Sequence, residues 1–237
     1  LLAVYSLRFP FYAQSGIAFI GIPAAMALTE HAAKTRIKNS FANIVKIIQY
    51  SLFTNKALCY TIMFSGVIGA ATLTMAWFVQ PLLIELDTPT SWFGIIWTIL
   101  NLTVGISALY SDKLDQRLGS LRMYAFILFF IVSGYIAVAF NISYVGLICL
   151  FFFYIVRGFA TPILKGYINQ ITFSEMRATV LSIRNFVIRL MFAAMAPLVG
   201  WLHDLYSLSI ALQATAAIIF VPGLLFLILQ WRYSKKV

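Results

Sequence analysis

Residues 123–140 read MYAFILFFIVSGYIAVAF, a run without one charged side chain. Coiled as a helix rising 1.5 Å per residue, such a run nearly crosses the roughly 30 Å hydrocarbon core of a bilayer. Similar runs lie at roughly 9–29, 57–81, 92–110, 144–164, 180–202 and 208–230. They are continuous rather than alternating, which excludes a β-barrel. The expectation is an all-α polytopic membrane protein with seven transmembrane helices, spans one to seven. Residues 1–7 read as the tail of an earlier span.

Composition points the same way. Of 237 residues, 62% are hydrophobic and only 10% are charged, with a mean hydropathy of +0.93. Soluble domains carry about 25% charged residues, so soluble enzymes, nucleic-acid binders and disordered chains are excluded. Cys59 and Cys149 sit inside apolar runs and read as small core residues. The chain starts at Leu1 rather than Met, without a basic leader, and reads as part of a longer protein.

The 17 Lys and Arg against 7 Asp and Glu are unevenly placed. Lys34, Arg36, Lys38, Lys46 and Lys56 lie between spans one and two. Lys113, Arg117 and Arg122 lie between three and four, Lys165 and Arg177 flank the loop after span five, and Arg232, Lys235 and Lys236 follow span seven. The other side holds Arg8, Glu85, Asp87 and Asp204. The positive-inside rule makes the basic side and the C-terminus cytoplasmic, in a cell membrane, facing anionic inner-leaflet lipid and no nucleic acid.

Local signals refine the map. Ile37, Phe41, Ile44, Val45 and Ile48 recur at helical spacing among lysines, which predicts an amphipathic helix within 34–52 lying on lipid as a linker, or else binding a partner. Thr172 to Glu175 has capping-box spacing before span six, and Ser91 is placed to cap span three.

Polar content is unequal among the spans. Span two carries Thr61, Ser65, Thr72, Thr74 and Gln80. Span three carries Thr98, Asn101 and Thr103, and span four is nearly bare. Span five carries Arg157 and Thr161, and span six Arg184, Asn185 and Arg189. Span seven is nearly bare again. Polar, polar, apolar, twice over, suggests two successive three-helix units whose polar members face a bundle interior or an aqueous cavity.

With these residues in view, the chain resembles the C-terminal part of a major facilitator superfamily transporter along essentially its whole length. The segment SALYSDKLDQRLGSLR, Ser107 to Arg122, is similar to that family's cytoplasmic loop motif through Asp112-Lys113 and Gly119 with Arg122, although Ala108 stands where Gly is usual. ITFSEMRATVLSIRNF, Ile171 to Phe186, resembles the start of family helix eleven, and Gly200 with Asp204 fits its far end. The resemblance implies that spans one to seven are family helices six to twelve. Residues 1–30 would then end an N-terminal bundle, 31–56 would be the cytoplasmic linker, and 57–237 would form a C-terminal six-helix bundle. Spans two, three, five and six would line a central cavity worked by alternating access.

The resemblance also implies roles. Asp112, Lys113, Gly119 and Arg122, with Glu175 and Arg177, would hold the cytoplasmic gate against the missing N-terminal bundle, or would only solvate short loops and cap a helix. Arg157 and Arg189 lie roughly 6–10 residues, or about 9–15 Å, inside their spans, and no acid lies within any span. They either snorkel to the interface or belong to the gate, meeting water or an acid of the missing half, or they meet a small solute, which contact would make anionic. Arg184 reads as interfacial. Tyr154, one turn from Arg157, together with Asn185, Asn101, Trp77 and Gln80, completes the cavity candidates. The two asparagines either bond a solute or hold helices together. Trp77 to Pro81 form either a local helix break that frees Gln80 for solute or an interfacial aromatic belt at a helix end.

His31 and His203 lie at opposite faces, and no metal-ligand, nucleotide-binding or cofactor motif is present. Secondary transport is therefore expected. A seven-helix receptor and an intramembrane enzyme are the alternatives, the latter disfavoured because no span holds a His/Asp/Glu cluster.

Overall fold

The computed structural model describes residues 8–27 and 41–234. Among them are nine α-helices: α1 (Phe9–Met26), α2 (Phe41–Gln49), α3 (Lys56–Glu85), α4 (Thr90–Leu109), α5 (Ser111–Leu118), α6 (Ser120–Phe140), α7 (Tyr144–Gln170), α8 (Arg177–Leu205) and α9 (Leu208–Ser234). Six of them, α3, α4, α6, α7, α8 and α9, are long and apolar enough to cross a membrane, which marks the chain as a candidate multi-pass membrane protein. Helices α3 and α7 to α9 overrun the apolar runs that predict them by several residues, because polar residues extend a helix once its apolar part is coiled.

Span one differs. Residues 9–26 form α1, but Tyr12, Gln14 and Ser15 dilute its apolarity and it falls outside the six. It is exposed at every described position except Ala13. Residues 1–7 and most of the basic linker, including Lys34, Arg36 and Lys38, lie outside the described residues.

Short connections turn the chain back at each end, so α3, α6 and α8 run one way and α4, α7 and α9 the other. Cross-helix contacts fix this register. Tyr124 at the start of α6 donates to Thr61 Oγ1 at the start of α3 (3.0 Å), and Tyr135 further along donates to the Ala71 carbonyl (2.6 Å). Both rings are almost fully buried. At the far end, Ser209 Oγ on α9 donates to the Ala139 carbonyl on α6 (2.6 Å). A hydroxyl surrounded by apolar side chains has no water to turn to, so each bond both satisfies a group and pins two helices.

Helix α3 is the spine. In its most apolar stretch 67% of residues are buried, against 17% in α4 and in α8. It packs on α6, α7, α8 and α9, while α4 leans on α7. The main pairings follow an exchange rule. Swapping the unit α3-α4-α6 for α7-α8-α9 turns the α3–α8 pair into α7–α4, and the α3–α9 pair into α7–α6. Small residues mark both the α3–α8 and the α7–α4 crossings. A Cβ on Gly69 would meet Ile188 Cδ1 at 2.6 Å, and one on Gly158 would meet the Val104 carbonyl oxygen at 2.6 Å.

Three local expectations are corrected. Thr172 does not cap α8: its hydroxyl donates back to the Ile168 carbonyl (2.6 Å), and Ser174–Met176 forms a 3-10 turn without a side-chain cap. Ser91 lies inside α4, whose cap position is Pro89 and makes no side-chain bond. Pro81 does not break α3, which continues to Glu85. Caps do form elsewhere: Asn55 Oδ1 accepts from Leu58 N (3.1 Å) at the start of α3, and Ser143 Oγ accepts from Val145 N (3.2 Å) at the start of α7.

The amphipathic helix is also not simply laid on lipid. Its described part, α2, continues through a π-turn (Tyr50–Thr54), and Ile47 is buried against Leu58, Ile62, Val180 and Ile183 of α3 and α8. Ile44 and Phe41 remain exposed.

The Gly158 crossing gives a direct test. The neighbour there is backbone, which cannot rotate aside, so Gly158→Ala lowers stability by about 1–3 kcal/mol through overpacking. Gly105→Ala on α4 points into open space, and there helix propensity leaves stability unchanged or raises it by up to about 1 kcal/mol. Thermal unfolding in detergent micelles reads both, and equal midpoints for the two variants would contradict the packing.

Candidate functional site

Three helices converge on a groove of about 360 Å³. Helix α3 contributes Gly69, Thr72 and Leu73. Helix α7 contributes Arg157, Thr161 and Lys165, spaced four residues apart and so stacked along one face. Helix α8 contributes Arg184, Asn185, Ile188 and Arg189. The groove therefore brings together three of the expected cavity residues, Arg157, Asn185 and Arg189. It adds Lys165 and Arg184, and no Asp or Glu lines it.

Arg184 overturns its interfacial reading. It is 5% exposed, its Nε donates to Ser65 Oγ on α3 (2.5 Å), and its guanidinium NH1 donates to Asn185 Oδ1 (3.2 Å). Both partners are neutral. The register that sets Gly66 and Gly69 of α3 against Val187 and Ile188 brings Ser65 within reach of Arg184. Arg157 is half-buried, with its guanidinium carbon 5.2 Å from the centre of the Tyr154 ring, a cation–π arrangement. Arg189 and Asn185 are exposed.

Tyr154 is not a wall residue. It is fully buried, edge-on to Trp97 at 6.5 Å, and supports Arg157 from behind. Trp77, Gln80, Ala76 and Trp97 line a second hollow of about 250 Å³. Thr72, Ala76 and Gln80 follow each other at four-residue spacing, so this hollow continues the α3 face that lines the groove. Trp77 also stacks on Phe192 of α8 at 6.5 Å. Asn101 lines neither hollow, and its amide donates to the Trp97 carbonyl of its own helix (2.9 Å).

Most hydroxyls counted in the polar spans serve their own helix. Thr61, Thr74, Thr98 and Thr103 each donate to the carbonyl four residues back. Only Thr72 and Thr161 of this group reach the groove.

At the basic end, Asp112 and Lys113 open α5 rather than sitting in a turn. Asp112 is exposed, and Lys113 Nζ lies 5.8 Å from the centre of the Tyr110 ring. Gly119 takes φ +74°, which suits glycine, to turn α5 into α6. Arg122 and Glu175 are exposed. Arg177 Nε donates to the carbonyls of Asn169 (3.2 Å) and Thr172 (3.3 Å), neutralising the C-terminal end of α7. The anchored acid of this loop is Asp115, which accepts from the Tyr167 hydroxyl.

Sequence reasoning missed Lys165, Arg184 and Asp115 as participants. The four-residue spacing from Arg157 through Thr161 to Lys165 was a legible signal. Arg184 stands among the polar residues of span six, but its burial leaves no sign there, because it depends on a glycine-lined crossing between distant segments. No group of His, Cys, Asp or Glu suited to a metal exists among the described residues, and Cys59 and Cys149 are free and half-buried. No protein-family model, no curated protein and no solved structure matches the chain.

Water access separates wall from support. With Cys59 and Cys149 replaced by Ala, a water-soluble maleimide is expected to label Asn185→Cys and Gln80→Cys rapidly in detergent, and Tyr154→Cys slowly. The reverse order would show that the groove is misplaced.

Proposed function

We propose that the chain forms one wall of a secondary transporter of the major facilitator type, which moves a small solute across a membrane by alternating access. The observation that carries this reading is the segregation of polar groups. Groove and hollow draw on α3, α4, α7 and α8, while α6 and α9 cover the opposite side with Phe129, Phe140, Phe220 and Val221 exposed. A bare apolar surface suits lipid, and a polar concave one suits a water-filled path.

The exchange pattern of helix pairs supports two inverted three-helix units, the architecture in which transporters place their binding sites. In this reading a second bundle closes the groove against α4 and α8, whose Leu102, Ile106, Phe186 and Leu190 are uncovered. The basic end lies in the cytoplasm of a cell, together with the C-terminus, and Asp112 on α5 faces the second bundle as part of a gate.

The test is counterflow. The natural full-length product, reconstituted in liposomes preloaded with a panel of small solutes, is expected to show saturable uptake accelerated by the same solute on the far side. Flux that neither saturates nor accelerates would indicate a pore, and no solute-dependent flux at all would remove the transport reading.

A further inference from the structure

We propose that the groove between α3, α7 and α8 binds a small oxyanion carrying at least two negative charges. Binding itself does not depend on the transport reading, although that reading makes the oxyanion the transported solute. Four cations, Arg157, Lys165, Arg184 and Arg189, line one groove that no described carboxylate enters. Of the seven acids, Glu30 lies outside the described residues. Glu85, Asp87 and Asp204 sit at one end of the bundle, and Asp112, Asp115 and Glu175 sit in or beside the connections at the other.

The charge therefore stays in the groove. Arg184 is held by neutral oxygens of Ser65 and Asn185, which satisfy its N–H groups without cancelling its charge. An isolated charge away from water is costly, and the cost falls when an opposite charge arrives. A neutral solute gives no such relief, and a cation adds repulsion. A singly charged anion leaves most of the field standing, whereas a doubly charged oxyanion can bridge α7 and α8.

The chemistry of the donors agrees. Guanidinium groups present planar pairs of N–H donors that match two oxygens of a carboxylate or phosphate, and Lys165 adds a point charge about two turns further along the same face of α7. The volume of about 360 Å³ suits a metabolite-sized ligand. Thr72 and Asn185 offer neutral polar contacts beside the cations. Carboxylate and phosphate share this chemistry, so the two sources are separated by experiment.

The full-length protein, in nanodiscs of zwitterionic lipid, is titrated calorimetrically with succinate, glycerol 3-phosphate, lactate, glucose and choline. Succinate or glycerol 3-phosphate is expected to bind, and whichever binds tighter names the oxyanion. Lactate should bind at least about tenfold more weakly, because fewer charge-assisted contacts form. Glucose and choline should not bind. Arg157→Gln and Arg189→Gln should each weaken binding at least about tenfold while keeping the unliganded melting temperature. Arg184→Lys, which retains the charge, should weaken it less than Arg184→Gln.

The proposal is overturned if neither doubly charged probe binds, if glucose or choline binds equally well, or if the Arg157→Gln and Arg189→Gln variants both keep wild-type affinity. Oxyanion binding without counterflow would uphold this site and remove the transport reading. Counterflow of glucose or choline unaffected by the arginine variants would do the opposite.

Discussion

Hydrocarbon offers no hydrogen bonds, and that single deficit orders this molecule. Polar groups inside the helices largely find a partner in their own helix, in a neighbour, or in water, the buried Tyr154 hydroxyl being among the few exceptions. The first solution is the commonest, with threonine and serine hydroxyls returned to carbonyls of their own turn. The second gives the bundle its register, through Tyr124, Tyr135 and Ser209. The groove is where neither suffices. Four cations gathered on two helices, α7 and α8, cannot be satisfied by two neutral oxygens and an aromatic face.

Position follows from the same economy. The spine α3 has small or hydroxylated residues on several sides, so four helices approach it closely. Its remaining stripe, Gly69 through Gln80, is left facing the groove and the hollow beyond it. The tyrosines of α6 fasten the back of the spine, which keeps that stripe turned toward α7 and α8. Arg157, in turn, rests on the Tyr154 ring, which is itself wedged between Trp97 and Phe153.

The legible and illegible parts of the sequence divide by range. Of the seven continuous apolar runs, six form helices long and apolar enough to cross a membrane, because burying or immersing about 20 apolar residues outweighs any local preference. Arg157, Asn185 and Arg189 stand out because charge and amide groups are rare in such runs. Local signals fared worse: the Thr172 and Ser91 caps and the Pro81 break look right in isolation, yet tertiary packing chose otherwise. Ile47 turns inward only because α3 and α8 leave a notch at the basic end. Arg184 needed knowledge of which helix lies opposite, and Tyr154 needed knowledge of what covers it. Such facts belong to pairs of distant segments and leave no trace in either one alone.

The two glycine-marked crossings are related by exchange of units but are not mechanically equal. At Gly158 the opposing atoms are the main chain of α4, which has no rotamer to change. At Gly66 and Gly69 they are the outer atoms of Val187, Met191 and Ile188, which can turn and let the helices shift by tenths of an ångström. One joint is stiff and the other compliant. The groove is bounded by the compliant joint on one side, while α4 and α7 are held together by the stiff one. Of these two crossings, the one with room to adjust the width of the groove is the seam between α3 and α8, which also holds the bond from Arg184 to Ser65.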